Sequence, residues 1–392
     1  MTTATLLLAT LLASADLRFE ATTASNAKTV AGSLDVLAAN WSASVGGTAI
    51  AAGDLVELRQ LGVELPALPG GPQLLLANGD RWPGRVIEIA NDKVRFAPAF
   101  GANAELTVPL TAVVAMWLGD PPYRDDPVPT DFDLVTAKRG EDIIRLANHD
   151  TLIGTITSLD RNTLQIENKG VVTKVPRERV VALALSSELT KLAKPKVPYA
   201  RIVLTSGARV TLLNAEFHDG RLTGTSAAGP AMRVLLGDVA SLNIHNGPAV
   251  YLSELTPTKY EHTPYMSVSY PYTADRSVAG GPLRLSGDTF DRGIGLHSKS
   301  RLVYAVPAGA TRFECYLGLD AVSGKLGQAL CSVQVDGKDL LSPAVMTATN
   351  TRHLILPLRA DAKELVLNVD FGPGGNVQDH VNWADARFIK RP

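Results

Sequence analysis

The sequence predicts an all-β protein built from tandem small β-barrel repeats followed by a jelly-roll β-sandwich. Three observations lead there. Short apolar/polar alternations are punctuated throughout by 33 Gly and 24 Pro, and no helix-length amphipathic run follows the first residues. An eleven-residue apolar pattern recurs without a gap at Val108–Leu118, Val175–Leu185 and Val234–Ile244. From about Ala249 the texture changes to closely spaced alternating runs separated by Gly-rich turns.

Length and charge bound the possibilities. A chain of 392 residues exceeds one ordinary domain. Lys plus Arg (38) nearly equals Asp plus Glu (39), and no basic stripe stands out, which speaks against nucleic acid as a partner. No stretch approaches the ~20 continuous apolar residues of a membrane span. Residues 1–15 read as a signal peptide: a Leu-rich uncharged run ends in Ala13-Ser14-Ala15, the small-x-small pattern of a cleavage site. The expectation is export to the periplasm, cell envelope or medium. The alternative is a buried N-terminal element.

The repeats define four units, 16–66 (divergent), 70–120, 131–187 and 198–246. The recurring element keeps apolar residues at its first, sixth, ninth and eleventh positions, and Ile50–Leu58 carries a fainter copy. Upstream, LLLANGD at 74–80 parallels IIRLANHD at 143–150, and Gly84 and Gly154 follow at the same distance. These segments predict a strand, a tight turn at Asn-Gly or Asn-His, and a second strand bent at the glycine. A hairpin partner and the eleven-residue element complete five strands. The Pro-rich stretches 121–127 and 194–198 read as linkers. This pattern resembles SH3-like or Sm-like small barrels generically, and such folds assign no function. Sm-like barrels often bind RNA; the neutral charge and the leader favour spacers or protein-docking modules instead.

In residues 249–392, runs such as Leu302–Val306, Arg312–Leu319 and Leu365–Val369 alternate between turns such as Asp336-Gly337 and Phe371–Gly375. Cys315 and Cys331 fall on apolar phases, so both point into a core. They are either bridged, if their strands are neighbours, or two buried thiols.

The run Gly293-Ile294-Gly295-Leu296-His297-Ser298 resembles the signature of the NPCBM/NEW2 domain, a carbohydrate-binding-type module found beside family 98 glycoside hydrolase catalytic domains. Tyr251–Leu255, Gly280–Leu283, Arg312-Phe313 before Gly318-Leu319-Asp320, Val333–Lys338 and Asp379–Ala386 match in order. The resemblance implies a galactose-binding-like jelly roll, carbohydrate as partner, and a structural Ca²⁺ in some members. One difference is that the family continues acidic after Asp320, where this chain reads Ala321-Val322-Ser323-Gly324-Lys325.

Candidate carbohydrate-binding residues are His297, Asp379, His380 and Trp383, and candidate calcium ligands are Asp275 and Asp385. Each has a plainer alternative. Trp383 either stacks on a sugar or fills the core. His297 either donates to a hydroxyl or pins its turn. Asp379 and His380 follow a Gly-rich loop where backbones approach ligands. Asp385 either binds a cation or accepts backbone N–H groups. The two glycine-rich turns, Gly293–Ser298 and Gly374–Asp379, are expected at neighbouring ends of the sandwich.

No catalytic constellation accompanies them. The seven histidines (149, 218, 245, 262, 297, 353, 380) form no His-x-x-x-His or His-Glu-x-x-His pair. There is no nucleophile elbow or phosphate loop. The expectation is a non-catalytic exported protein that binds a glycan. The alternative is a structural or interaction protein of the envelope without sugar affinity, with envelope proteins as partners.

Overall fold

The computed structural model describes residues 17–119, 137–265, 267–322 and 324–392. The signal peptide and the 121–127 linker lie outside the described residues. Four stretches each fold as five antiparallel strands in which the first also pairs the last. The first holds β1 (Arg18–Thr23), β2 (Val30–Leu37), β3 (Ala43–Val45), β4 (Thr48–Ile50) and β5 (Leu55–Gln60). The second holds β6 (Gln73–Leu76), β7 (Arg81–Ala90), β8 (Lys93–Pro98), β9 (Leu106–Pro109) and β10 (Val113–Trp117). The third holds β11 (Asp142–Leu146), β12 (Thr151–Leu159), β13 (Thr163–Asn168), β14 (Val171–Pro176) and β15 (Val180–Ala184). The fourth holds β16 (Tyr199–Leu204), β17 (Arg209–His218), β18 (Arg221–Ser226), β19 (Ala231–Leu235) and β20 (Val239–His245).

Local chemistry explains the shared form. In the second and third units the first hairpin turns at Gly79 (φ 84°) and His149 (φ 69°), in the left-handed region that Gly tolerates freely. Gly84 marks where β7 passes from β6 to β8, and Gly154 where β12 passes from β11 to β13. A Cβ on Gly154 would meet the Glu167 carbonyl oxygen at 2.4 Å, so the strands close only around a bare backbone. In the three ungapped copies the eleven-residue element is a strand, one 3-10 turn (Leu110–Ala112, Arg177–Arg179, Leu236–Asp238) and a closing strand.

The reading of separate units joined by linkers needs correction. β10 pairs β15, and β20 pairs β5, so the second and third units and the first and fourth are joined through their last strands. Smaller contacts from β7 to β12 and β17 complete one hydrogen-bonded network of 20 strands. β10 and β15 are apolar on both faces, which suits strands covered on both sides.

The C-terminal part begins with β21 (Ala249–Tyr251), β22 (Lys259–His262), β23 (Thr273–Ala274), β24 (Leu283–Leu285) and β25 (Asp288–Phe290). β26 (Gly293–His297), β27 (Ser300–Ala305), β28 (Ala310–Leu319) and β29 (Ala329–Val335) follow. β30 (Lys338–Met346), β31 (Arg352–Pro357), β32 (Glu364–Phe371) and β33 (His380–Lys390) end it. They form a two-sheet sandwich, ordered β23-β26-β33-β28-β31 with β21 on β33, against β22-β27-β32-β29-β30, with β24-β25 as a separate hairpin. Phe313, Leu317, Leu367, Trp383 and Phe388 fill the space between the sheets. Cys315 and Cys331 are both buried and free. They lie in opposite sheets, on β28 and β29, and burial raises both thiols.

β33 is buried on both faces. Trp383, Ala386 and Phe388 face the sandwich core, whereas Ala384 and Ile389 pack with barrel residues Leu65, Val203 and Val56. A bulge at Asp385 (φ 47°) shifts the alternation between these sets. Arg387 crosses to the barrels, donating to Glu57 (2.8 Å) and to Glu314 (3.2 Å), while Arg312 donates to Glu314 and to the Thr23 and Ala24 carbonyls. Burial would raise Glu314, but Arg387 and Arg312 outweigh it and hold the carboxyl low. Asp291 behaves likewise: Arg209 and Arg201 of the fourth barrel override its burial.

Candidate carbohydrate-binding site

Gly293–His297, expected as a turn, is instead the buried strand β26, and it pairs β33 so that His297 stands opposite His380 beside the Gly374–Asp379 loop. The imidazole centroids are 5.4 Å apart. His297 is buried, and its Nδ1–H donates to the Ser298 carbonyl (2.7 Å). Burial lowers its pKa, so the ring is neutral near pH 7 and Nε2 remains an acceptor. His380 is half-buried at the start of β33.

Tyr270, which the sequence reading did not single out, completes the group. Its ring stacks on His297 with centroids 3.9 Å apart and planes 9° from parallel, and lies 6.4 Å from His380. The loop carrying Tyr270 is pinned from two sides. Its N–H donates to His262 Nε2 (3.2 Å), which fixes the proton on Nδ1 facing Ser300 Oγ (3.0 Å). The Tyr260 hydroxyl donates to the Tyr270 carbonyl (2.6 Å). Exposed Tyr265 packs edge-on against Phe371 (5.5 Å), extending an aromatic rim. The available signal was aromatic density in Tyr260–Tyr272, which has no strand period to orient it.

Two candidates are corrected as sugar contacts. Asp379 is fully buried and accepts from the Ser298 hydroxyl (2.6 Å) and the Gln328 N–H (3.1 Å), tying its loop to the end of β26. Burial raises its pKa against those bonds. Trp383 has no exposed surface and sits opposite Ile294 and Leu317 in the core, where it cannot stack on a ligand. The non-acidic loop after Asp320 is anchored internally, with Asn382 and the Val322 N–H donating to Asp320.

The calcium candidates do not fit a cation. Asp275 accepts from Arg292 (2.7 Å) and the Gly293 N–H (3.1 Å), so a guanidinium already neutralises it. Asp385 is pushed up to about 7 by burial and by Glu57, with Arg387 and Arg59 acting in opposition. Among the described residues no group of three or more His, Cys, Asp or Glu is placed to hold a metal ion. Among them, too, no helix is long and apolar enough to cross a membrane.

Comparison with known proteins addresses the same part of the chain. The family model described as the NPCBM/NEW2 domain matches residues 248–389. A curated relative from Renibacterium salmoninarum, named "Putative endo-alpha-N-acetylgalactosaminidase", is 32% identical over 111 residues, 28% of this chain. This chain spans 7% of that protein's length. Among solved structures, the CBM51 of Clostridium perfringens GH95 in complex with methyl-galactose is 26% identical. That match covers 36% of this chain and 99% of that one, with a TM-score of 0.33. The CBM51-2 and INT domains of C. perfringens ZmpB, in complex with GlcNAc, are 28% identical over 46% of this chain and 40% of that one (TM-score 0.33). Residues 248–389 of this all-β chain are an NPCBM/NEW2 domain.

Proposed function

We propose that the protein is a non-catalytic, exported glycan-binding protein that engages sugar at the Tyr270–His297–His380 end of its jelly roll. The carrying observation is the convergence of an aromatic face and two imidazoles at one end of a carbohydrate-binding-type domain. A sugar needs an apolar face for its C–H surface and directional polar groups for its hydroxyls. Tyr270 and Tyr265 supply the former, and His380 the latter. The apolar run before Ala13-Ser14-Ala15 supports export. Burial of His297 and Asp379 favours a second reading, an envelope interaction protein in which this cluster only closes the sandwich.

The test is a glycan array with the full chain, because Arg387 and Arg312 take partners from the barrels and an isolated sandwich would strand them. A hit is then titrated against His380→Ala. Affinity should fall about ten- to a hundredfold. Unchanged affinity would place the sugar elsewhere on the chain, and the absence of any hit would favour the interaction-protein reading.

A further inference from the structure

A cleft of about 410 Å³ lies where the second and fourth barrels meet the loops before β26. Its volume falls in the range of small-molecule sites. Its charged lining consists of Arg81, Arg201, Arg276 and Arg292 with Asp275 and Asp291, and Asp80 and Glu254 lie beside Arg201 and Arg292 (both 3.6 Å). The aspartates are already engaged: Asp275 by Arg292, and Asp291 by Arg201 (2.8 Å) and Arg209 (3.0 Å). Arg81 differs from its neighbours. Among the described residues it makes no ion pair; its Nη1 reaches Gln73 Oε1 at 3.4 Å, and its guanidinium lies over the Trp117 ring at 5.4 Å. Burial pulls its pKa down to about 10, with Asp291 opposing and Arg201 and Arg209 reinforcing, so it stays charged at neutral pH. Leu75, Phe290 and Pro282 give the same cleft an apolar wall.

We propose that this cleft binds the carboxylate of an acidic sugar residue, with Arg81 as its bidentate anchor. A planar guanidinium held on an indole face presents paired N–H donors in the fork that a carboxylate fits. The apolar wall suits the C–H face of the attached ring. The cleft and the Tyr270–His297–His380 group sit at opposite ends of β26, about 16 Å apart at 3.3 Å per residue. An oligosaccharide spanning several units thus reaches both. The proposal rests on the glycan-binding reading in taking the ligand to be a sugar.

The experiment titrates the full chain with galacturonate and with galactose, which differ at a single carbon, following Trp117 by fluorescence and heat by calorimetry. Inorganic sulfate is added as a competitor. Galacturonate should bind at least tenfold more tightly than galactose, weaken as salt rises, and be displaced by sulfate. Arg81→Gln should reduce galacturonate affinity about ten- to a hundredfold, and Arg81→Lys, which keeps charge but not the fork, should recover only part. Binding of a neutral glycan hit should be untouched in Arg81→Gln, which also shows that the variant is folded. Equal affinity for the two sugars, or full galacturonate affinity in Arg81→Gln, overturns the acidic-sugar site while leaving the neutral glycan reading standing. Loss of neutral binding in His380→Ala with galacturonate binding intact supports two independent sites.

Discussion

Replacing Arg387 by Met tests whether sandwich and barrels are one mechanical body. The guanidinium is buried between Glu57 of the first barrel and Glu314 of the sandwich, 2.8 and 3.2 Å away, and faces Asp385. Methionine keeps much of the aliphatic stem, so the change is chiefly electrostatic: Glu57 loses its partner, and Glu314 retains Arg312. Breaking a buried pair in this way costs about 3–5 kcal/mol. Unfolding entropy is about 2.1 cal/mol/K per residue, so 392 residues give about 0.8 kcal/mol/K if the chain melts as one unit. The expected fall in Tm is then about 4–6 °C. If the 142 residues of 248–389 melt alone, the entropy is about 0.3 kcal/mol/K and the fall is about 10–17 °C in a separate transition. Scanning calorimetry at pH 7 distinguishes these cases. A shift under 2 °C in every transition would refute the claim that this network holds the interface.

Further expectations follow from the same contacts. Asp385, raised to about 7, stays protonated in the folded state between about pH 4 and 7 while the unfolded chain ionises, so it removes stability as pH rises through that window. Asp385→Asn, which tolerates the same left-handed backbone, should therefore leave Tm unchanged near pH 4 and raise it by several degrees at pH 8; an equal shift at both would be the contrary result. Gly154→Ala should destabilise by about 1–3 kcal/mol or more in chemical denaturation, because its Cβ would strike the Glu167 carbonyl at 2.4 Å. Trp383→Phe should cost less than a large core truncation, since it removes a buried indole N–H that has no hydrogen-bond partner among the described residues, and should leave glycan affinity unchanged. A drop in affinity would return Trp383 to the site. Cys315 and Cys331 should resist a thiol reagent in the native protein and react in denaturant.

The repeats and the sandwich were legible because each rests on local chemistry: Asn-Gly turns, bending glycines and period-2 alternation over short runs. The joining of the barrels through their last strands was not read. Its trace was present in Ala115-Met116-Trp117 and Ala182-Leu183-Ala184, apolar on consecutive positions, as strands covered on both faces must be. Site residues divided on the same point. His297 and His380 carry a geometric signal, a glycine-bearing strand end and a glycine-rich loop that meet through one strand pairing. Trp383 was misassigned because alternation cannot reveal which face of β33 looks inward when both are covered. Asp379 lies beside an exposed loop yet points beneath it, and sequence spacing holds no information on that rotation. Tyr270 sits in a stretch without a period, so only contact with His297 shows its role.

This double burial of β33 has a consequence for how the Tyr270–His297–His380 end is held. His380 opens the strand, Trp383 and Phe388 lock it into the sandwich, and Arg387 and Ile389 lock it onto the barrels. β26, paired beside it, carries His297 at one end and the cleft's Arg292 just before the other. The barrels therefore do more than space the domain from its surroundings, because Glu57 satisfies a sandwich arginine and Arg201 and Arg209 satisfy Asp291 at the mouth of the cleft. A polar ligand site depends on donors held in place before the ligand arrives. Here Arg387 of β33 and Asp291, just before β26, take charged partners from the barrels, so Glu57→Gln should weaken glycan affinity measured by titration, and unchanged affinity would count against this coupling.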